Sequence, residues 1–408
     1  MKCRFCENEL KNEFVDLVTS PPSNSFLLPE QLNQPETYYP LKLYVCEKCL
    51  LVQIDEYKQN DDIFNNEYVY FSSYSKSWLA HCKNYVNMMT NDYSLNKDSL
   101  VVEIASNDGY LLQYFKEKQI PSLGIEPSTS TAKIAIEKGI DTITEFFNSI
   151  LAEQLVKDGK SADLILGNNV LAHDPNLNDL VKGMKIALKE NGIITMEFPH
   201  LMQLIENNQF DTIYHEHFSY FSFTTIVKIF KKHGLAIFNV DEIPTHGGSL
   251  RIYAKHFNNT THTLTKKVQN LLIKESSIGM NNIDFYHNFK SKVNFVKNDF
   301  LGFLIEQKKK NKKVVAYGAA AKGNTLLNYC GVKDDFIEFV VDLSPHKQNK
   351  YLPGSRIPVK DENEISKFKP DYIIILPWNI KDEIVEQLSY VSEWGCEFVV
   401  AIPELKIF

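Results

Sequence analysis

The sequence lacks the features that would place it in a membrane or in an oxidising compartment. It has no apolar run long enough to cross a bilayer, and its start does not pair a basic stretch with a short apolar block. A cytoplasmic protein with no membrane partner is therefore expected. Cysteine is scarce, seven in 408 residues, which excludes a disulfide scaffold; in a reducing compartment paired cysteines signal metal or redox chemistry. A basic excess is missing too. Lys and Arg total 44 against 51 Asp and Glu, a net charge of −7, so nucleic acid is not expected as a partner. The basic run Lys308–Lys313 falls where a helix should end before a strand, and the helix dipole accounts for it. No GxGxxG fingerprint follows any apolar strand-like run, which argues against a dinucleotide seat. What remains is ordinary globular composition, 44% hydrophobic and 23% charged, long enough for roughly two or three domains. Oligomeric state leaves no mark in the sequence.

The densest chemistry lies in Phe210–Phe223, FDTIYHEHFSYFSF. Tyr214, His215, Glu216 and His217 put four proton-active side chains in a row, and Phe210, Phe218, Tyr220, Phe221 and Phe223 surround them. A solvated loop has no reason to carry so many aromatics, and a plain core strand has no reason to carry the charge. Buried, such a cluster would have shifted pKa values suited to acid–base work near neutral pH.

Before it, Cys3-Arg-Phe-Cys6 and Cys46-Glu-Lys-Cys49 form two CxxC knuckles. Two such turns complete a thiolate tetrahedron for Zn²⁺ with no open position, a structural rather than catalytic site. Cys82, Cys330 and Cys396 read as ordinary buried thiols. The segment Glu67–Tyr74 precedes a helical pattern at Lys76–Met89; Ser72 or Ser73 is expected to cap that helix, or the segment covers a site built later.

Residues 99–200 alternate strand and helix patterns, the signature of a doubly wound parallel sheet with ligand at the carboxyl ends of its strands. Strands are predicted at Leu100–Ile104, Ser122–Ile125, Thr142–Phe146, Asp163–Gly167 and Gly192–Glu197. Glu103 and the turn Ala105-Ser-Asn107-Asp108-Gly109 end the first strand, Glu126-Pro127 the second, and Asn168-Asn169 the fourth. Asp108 would repel a pyrophosphate. It suits a cationic ligand without phosphate, such as S-adenosylmethionine, with Glu126 accepting from the ribose hydroxyls. His246-Gly247-Gly248-Ser249-Leu250-Arg251 reads either as a hairpin turn or as backbone brought close to a ligand. Residues 262–310 are predicted mainly helical, with Tyr286 beside their apolar series.

A second α/β pattern fills residues 312–408, with strands predicted at Val314–Tyr317, Phe336–Asp342, Tyr372–Leu376 and Cys396–Ile402. The turn Gly318-Ala319-Ala320-Ala-Lys322-Gly-Asn324 is not a Walker loop, because its Lys precedes the second Gly. Its small residues still let backbone amides meet a phosphate, Lys322 adds charge, and Asp342 with Lys347 and Lys350 could hold a base or sugar.

Taken together, CxxC…CxxC, ExASNDG with GIEPS, IYHEHFSYFS with HGGSLR, and YGAAAKGNT with VVD resemble the S-adenosylmethionine-dependent C-methyltransferases of nucleotide-linked 4-keto-deoxysugars, over nearly the whole chain. Ala105 departs from that pattern, which more often has glycine there. The resemblance implies an α/β protein of three parts: a zinc-binding domain (1–65), a Rossmann-like cofactor domain (66–260), and a helical linker with a Rossmann-like nucleotide-sugar domain (261–408). It implies His217 as the base that removes the proton on C3, with Glu216 and Tyr214 orienting the sugar or donating to the oxygen on C4. It also implies Tyr70 and Tyr286 as further site tyrosines, His246, Gly247, Ser249 and Arg251 along the seam, and a substrate carried by deoxythymidine diphosphate (dTDP). Two rivals share parts of this pattern: a sugar O-methyltransferase and an NAD-dependent sugar oxidoreductase.

Overall fold

The structure, a computed structural model, describes residues 1–57 and 71–408, and three sheets organise these described residues. The first strands in chain order are β1 (Asn12–Ser20), β2 (Tyr39–Val45) and β3 (Val52–Ile54). Then come β4 (Val101–Ile104), β5 (Ser122–Ile125), β6 (Thr142–Ile143), β7 (Ala162–Asn168), β8 (Leu188–Pro199), β9 (Ser219–Tyr220), β10 (Leu235–Ile243) and β11 (Ser249–His256). The last are β12 (Val314–Tyr317), β13 (Val340–Val341), β14 (Val359–Lys360), β15 (Tyr372–Ile375), β16 (Glu397–Val400) and β17 (Lys406–Ile407).

The N-terminal sheet runs β1-β2-β3-β9 and is antiparallel throughout. Along β2 the residues Leu41, Leu43 and Val45 are buried and alternate with more exposed neighbours, the period of two that one covered face requires. Its last strand, β9, belongs to the Phe210–Phe223 stretch: Val52 pairs with Tyr220 and Gln53 with Ser219, and Ile54 N–H donates to the Phe218 carbonyl at 3.2 Å.

The middle sheet has the order β10-β11-β8-β7-β4-β5-β6. The strands from β4 to β8 are parallel, and β10 and β11 add an antiparallel hairpin on β8. The fully buried run Val101–Ile104 fits a strand covered on both faces. Prediction and structure differ mostly in strand length. The strand expected over Thr142–Phe146 stops at Ile143, and the one expected over Gly192–Glu197 extends to Leu188–Pro199, with Leu188 paired to Ala162 of β7 and Pro199 to Ser249 of the hairpin.

The C-terminal sheet, β14-β13-β12-β15-β16-β17, is parallel apart from β17. Here the strand expected over Phe336–Asp342 narrows to β13. The linking region is helical as expected, at Lys266–Ser277, Asp284–His287 and Phe289–Lys309. The helix after the cofactor-side segment spans Lys76–Asp92, and Ser75 caps it by accepting from Trp78 N–H. Ser72 and Ser73 were the expected caps; they bond instead to the turn after β4. Phe14, Leu43, Ile213, Phe289, Leu326 and Ile374 belong to one apolar core, so the N-terminal sheet, the linking helices and the C-terminal sheet pack as a unit.

Candidate active site

Four thiols meet at the N-terminus. The sulfurs of Cys3, Cys6, Cys46 and Cys49 all lie within 4.8 Å of one another, with Cys3–Cys49 and Cys6–Cys46 at 3.5 Å. Sulfurs around a tetrahedral Zn²⁺ at ~2.3 Å sit roughly 3.8 Å apart. The donor set therefore fits Zn²⁺ with no fifth group needed.

The turn after β4 is bent through three left-handed residues, Ala105 (φ 57°), Asn107 (φ 50°) and Gly109 (φ 74°). A Cβ at Gly109 would stand 2.4 Å from Ile140, so glycine is needed for space as well as for φ. Glu126 holds the turn: its two oxygens accept from Asn107 N–H at 2.8 Å and from Ser128 N–H at 2.9 Å. A carboxylate oxygen keeps a second lone pair, so this role is compatible with accepting from a ribose. Pro127 stands beyond it, half-buried. Segment 71–75 closes over the turn, with Ser72 N–H donating to Asn107 Oδ1 at 3.0 Å and the Ser73 hydroxyl donating to Asp108.

Several buried acceptors here have no donor among the described residues: both carboxylate oxygens of Glu103, Asp108 Oδ1 and Asn169 Oδ1. Glu103 lies beside the Tyr110 hydroxyl, and burial pushes its carboxyl well above the usual range. Unpaired buried acceptors are costly unless a ligand supplies donors or positive charge. S-adenosylmethionine carries an ammonium and a sulfonium, so these residues fit it. Asn168 donates to Tyr110 at 3.4 Å.

The Phe210–Phe223 stretch is buried as expected, and His215, Glu216 and His217 are each under one-tenth exposed. His217 Nδ1 lies 2.9 Å from the Thr212 carbonyl. A carbonyl only accepts, so Nδ1 carries the proton and Nε2 is left as the basic nitrogen. Nε2 has no hydrogen-bond partner among the described residues. Burial, with His173 nearby, lowers the His217 pKa well below its ordinary value, which keeps the ring neutral at pH 7. The Tyr214 ring is centred 4.0 Å from the His217 ring, and His173 stands edge-on at 4.6 Å. His215 gives Nε2–H to the Pro40 carbonyl at 3.2 Å and packs on Tyr39 and Tyr57, a structural role.

His173 went unrecognised in the sequence. It follows β7 in the NNVLAHD segment, and its position after a strand end was the one available signal. Its pKa is pushed down to about 4 by burial.

The glycine turn of the β10–β11 hairpin meets the C-terminal domain. A Cβ at Gly247 would sit 2.3 Å from Trp378. His246, at φ 55°, accepts from Asn169 Nδ2 at 3.1 Å, and burial lowers its pKa to about 4. Ser249 closes the hairpin by donating to the Thr245 carbonyl at 2.9 Å. Arg251 was expected to line the substrate seam; it also makes a buried ion pair and keeps its Nε without a partner among the described residues. Arg251 and His81 reach Glu197 Oε2 at 2.8 and 2.9 Å, and the guanidinium lies over Tyr85. Thr245 donates to the other Glu197 oxygen at 2.8 Å, so Arg251 belongs to a buried ion pair that anchors the hairpin.

Tyr286, expected as a further site tyrosine, is fully buried against Phe14 and Phe285, and its hydroxyl donates to the Met280 carbonyl at 2.9 Å. Tyr70 lies outside the described residues.

The small-residue turn after β12 also differs from expectation. Gly318 (φ 89°) packs where a Cβ would meet Pro377 at 2.5 Å. Ala319 N–H donates to Asp342 Oδ2 at 2.8 Å and Ala320 N–H to the Gly318 carbonyl, so these amides are occupied. Asp342 also accepts from Ser344 N–H at 2.9 Å and from Lys347, whose Nζ donates to the Ala319 carbonyl. Asp342 and Lys347 thus serve each other and the turn, the half-buried acid at the strand end being paired. Asn324 gives Nδ2–H to the Ser23 carbonyl at 2.6 Å rather than lining an anion site.

Lys322 turns toward the hairpin. Its Nζ donates to Asn379 at 2.7 Å and lies 4.7 Å from the Trp378 ring centre. Trp378 in turn donates Nε1–H to Asp211 at 2.7 Å. Burial lowers the Lys322 pKa and raises that of Asp211 to about 6. Asp211 was inside the stretch singled out from sequence, yet its burial carries no local signal.

Comparison with known proteins adds three family matches along the chain: a zinc binding domain over residues 3–64, a methyltransferase domain over 82–240 and a C-methyltransferase C-terminal domain over 244–403. The C-methyltransferase NovU of Streptomyces niveus is 32% identical over 406 residues, covering 100% of this chain and 96% of its own. Among solved structures, magnesium protoporphyrin IX methyltransferase of Synechocystis with bound S-adenosylmethionine is 15% identical at a TM-score of 0.34, covering 43% of this chain and 78% of that one. An S-adenosylmethionine-dependent methyltransferase of Thermotoga maritima is 19% identical at 0.35, covering 45% and 93%. At those scores the structural likeness carries no functional weight.

Proposed function

The chain belongs to the C-methyltransferase family and is an S-adenosylmethionine-dependent methyltransferase, and on that premise we propose that it methylates C3 of a nucleotide-linked 4-keto-deoxysugar through an enolate. The observation that carries the proposal is the tautomer of His217, whose proton is committed to Thr212 so that Nε2 is basic. A neutral imidazole that gains a proton only during the reaction is what a general base near pH 7 requires.

The chemistry then follows from the chain's own groups. His217 Nε2 takes the proton from C3, which the neighbouring ketone makes acidic. The bond electrons move onto the oxygen of C4. Tyr214, and Glu216 in its protonated form, donate to that oxygen and stabilise the developing charge. S-adenosylmethionine, when bound, would supply an electrophilic methyl group for the carbon nucleophile and leave as S-adenosylhomocysteine while the C4 ketone re-forms. Glu103, Asp108 and Asn169 supply acceptors for the donor's positive charge, and Glu126 holds the turn beneath it. Lys322 and the Trp378 face form the cationic edge proposed to receive the nucleotide diphosphate, with dTDP the preferred handle. Cys3, Cys6, Cys46 and Cys49 would hold Zn²⁺, which would tie the N-terminal knuckles together.

The test is an assay with S-adenosylmethionine and a panel of nucleotide-linked 4-keto-deoxysugars and their 4-hydroxy counterparts, with the product read by NMR. A new C–CH₃ next to the ketone is expected. An O–CH₃ product from the hydroxy sugars alone would replace this reading with O-methylation.

A further inference from the structure

Glu216 is held by a residue from the opposite end of the sequence. Asn24 lies in the loop between β1 and β2, and its Nδ2 donates to Glu216 Oε1 at 2.7 Å. This loop is fixed on both sides of Asn24. The Ser23 carbonyl receives Asn324 Nδ2–H at 2.6 Å, and both residues are at most 2% exposed. Leu27 and Tyr351 exchange backbone hydrogen bonds at 2.9 Å in each direction. The helical turn that carries Asn324 also holds the acid–base segment itself, since the Thr325 hydroxyl donates to the Ile213 carbonyl at 2.8 Å. One turn of the C-terminal domain thus fixes the spacing between Asn24 and Glu216.

We propose that Asn24 is a positioning residue that decides which oxygen of Glu216 carries its proton. With the Asn24 amide N–H donating to it, Oε1 is the acceptor, and a neutral Glu216 in this geometry carries its proton on Oε2. In an unconstrained carboxylic acid either oxygen takes the proton and the group rotates, so a donor aimed at one spot is lost part of the time. Fixing one oxygen as acceptor preorganises the other as donor. The inference rests on the enolate reading only for the use made of that proton; the hydrogen bond and its effect on Glu216 stand apart from the substrate.

Two substitutions test it, Asn24→Asp and Asn24→Ala. Aspartate keeps the shape but places a second carboxyl against Oε1, so the pair must share a proton. Infrared difference spectra of the Glu216 carboxyl, with Glu216→Gln as the blank, read its titration without any turnover. The expected result is a rise of about one pH unit or more in Asn24→Asp, the size that defines a coupled pair. In Asn24→Ala the lost amide donor raises it by less. In the methylation assay, kcat falls roughly fivefold in Asn24→Ala, the scale of one hydrogen bond to a neutral group, while KM for the sugar stays near wild type. The alkaline limb of the pH profile moves up in Asn24→Asp. An unchanged Glu216 titration in both folded variants overturns the assignment. A wild-type enzyme that makes no C-methyl product overturns the proposed reaction and leaves the infrared result to decide on Asn24.

Discussion

At the end of β4, Glu103 keeps both carboxylate oxygens without a donor among the described residues. At the end of β13, Asp342 receives two backbone amides and a lysine. Both acids stand where a parallel sheet presents its ligand site, yet one is left for a ligand and the other is consumed by the protein. The middle sheet keeps buried acceptors at Glu103 and Asn169 and pairs Asp108 with Lys138, the side proposed to take the cationic methyl donor. The C-terminal sheet neutralises its acid and sends Lys322 into the seam, the side proposed to take the nucleotide diphosphate. The acid–base stretch joins the two, tied to the first side by the Phe218–Ala172 backbone bond at 2.7 Å and to the second by Thr325.

The largest effect on this contrast comes from removing Zn²⁺. The strand that follows His217 pairs with β3, and the Thr225 hydroxyl donates to the Cys49 carbonyl. Structural zinc contributes on the order of 10 kcal/mol to the fold of small domains. Chelation, or Cys46→Ser, should therefore abolish turnover and lower the melting temperature sharply in a thermal scan. Loss of zinc with activity intact would separate the knuckles from the site.

Next in size is Glu103→Gln. It should weaken S-adenosylhomocysteine or S-adenosylmethionine in calorimetry by ten- to a hundredfold, about 1.5–3 kcal/mol for a hydrogen bond to a charged group. Nucleoside diphosphate binding should not change. Lys322→Met should do the reverse, weakening a nucleoside diphosphate by roughly tenfold and sparing the methyl donor. Equal losses of both ligands in either variant would erase the distinction between the sheets.

The smallest effect is on acid stability. His173 and His246 have pKa values lowered to about 4 by burial. Between their ordinary value of 6.5 and that figure, the unfolded chain binds protons that the folded one refuses, so stability falls as pH falls. Glu197, lowered to about 2 mainly by His81 and Arg251 against its burial, adds a further loss below its ordinary 4.5. The melting temperature should fall from pH 6.5 toward 4 by less than these two rings alone would give, because Asp211 and Asp174, each raised to about 6 by burial, bind protons in the folded state over part of that range. His173→Asn should make the decline shallower; an unchanged slope would mean that this ring is solvated.

Much of this arrangement was legible in the residues. The CxxC spacing, the β/α alternation and the aromatic-rich FDTIYHEHFSYFSF stretch each have a local physical meaning, and the structure builds them where the spacing predicts. What escaped was long-range. A two-residue strand such as β9 has no periodicity to read, and its pairing with β3 is decided by tertiary packing. Arg251 and Asp342 have side chains suited to a ligand, but both also pair with groups distant in sequence, Glu197 and the Ala319 turn, and Tyr286 gives its hydroxyl to the Met280 carbonyl. Asn24 and Asp211 sit in unremarkable local contexts and gain meaning only from Glu216 and Trp378.

The most direct measurement is exchange of the substrate's C3 proton in deuterium oxide, with S-adenosylhomocysteine present so that no methyl group can be transferred. The wild-type enzyme should wash deuterium into a dTDP-linked 4-keto-deoxysugar. His217→Asn should slow that exchange by on the order of 10²–10⁴-fold, the range of a general base, while binding both ligands normally. Exchange in His217→Asn at the wild-type rate would remove His217 as the base and contradict the account.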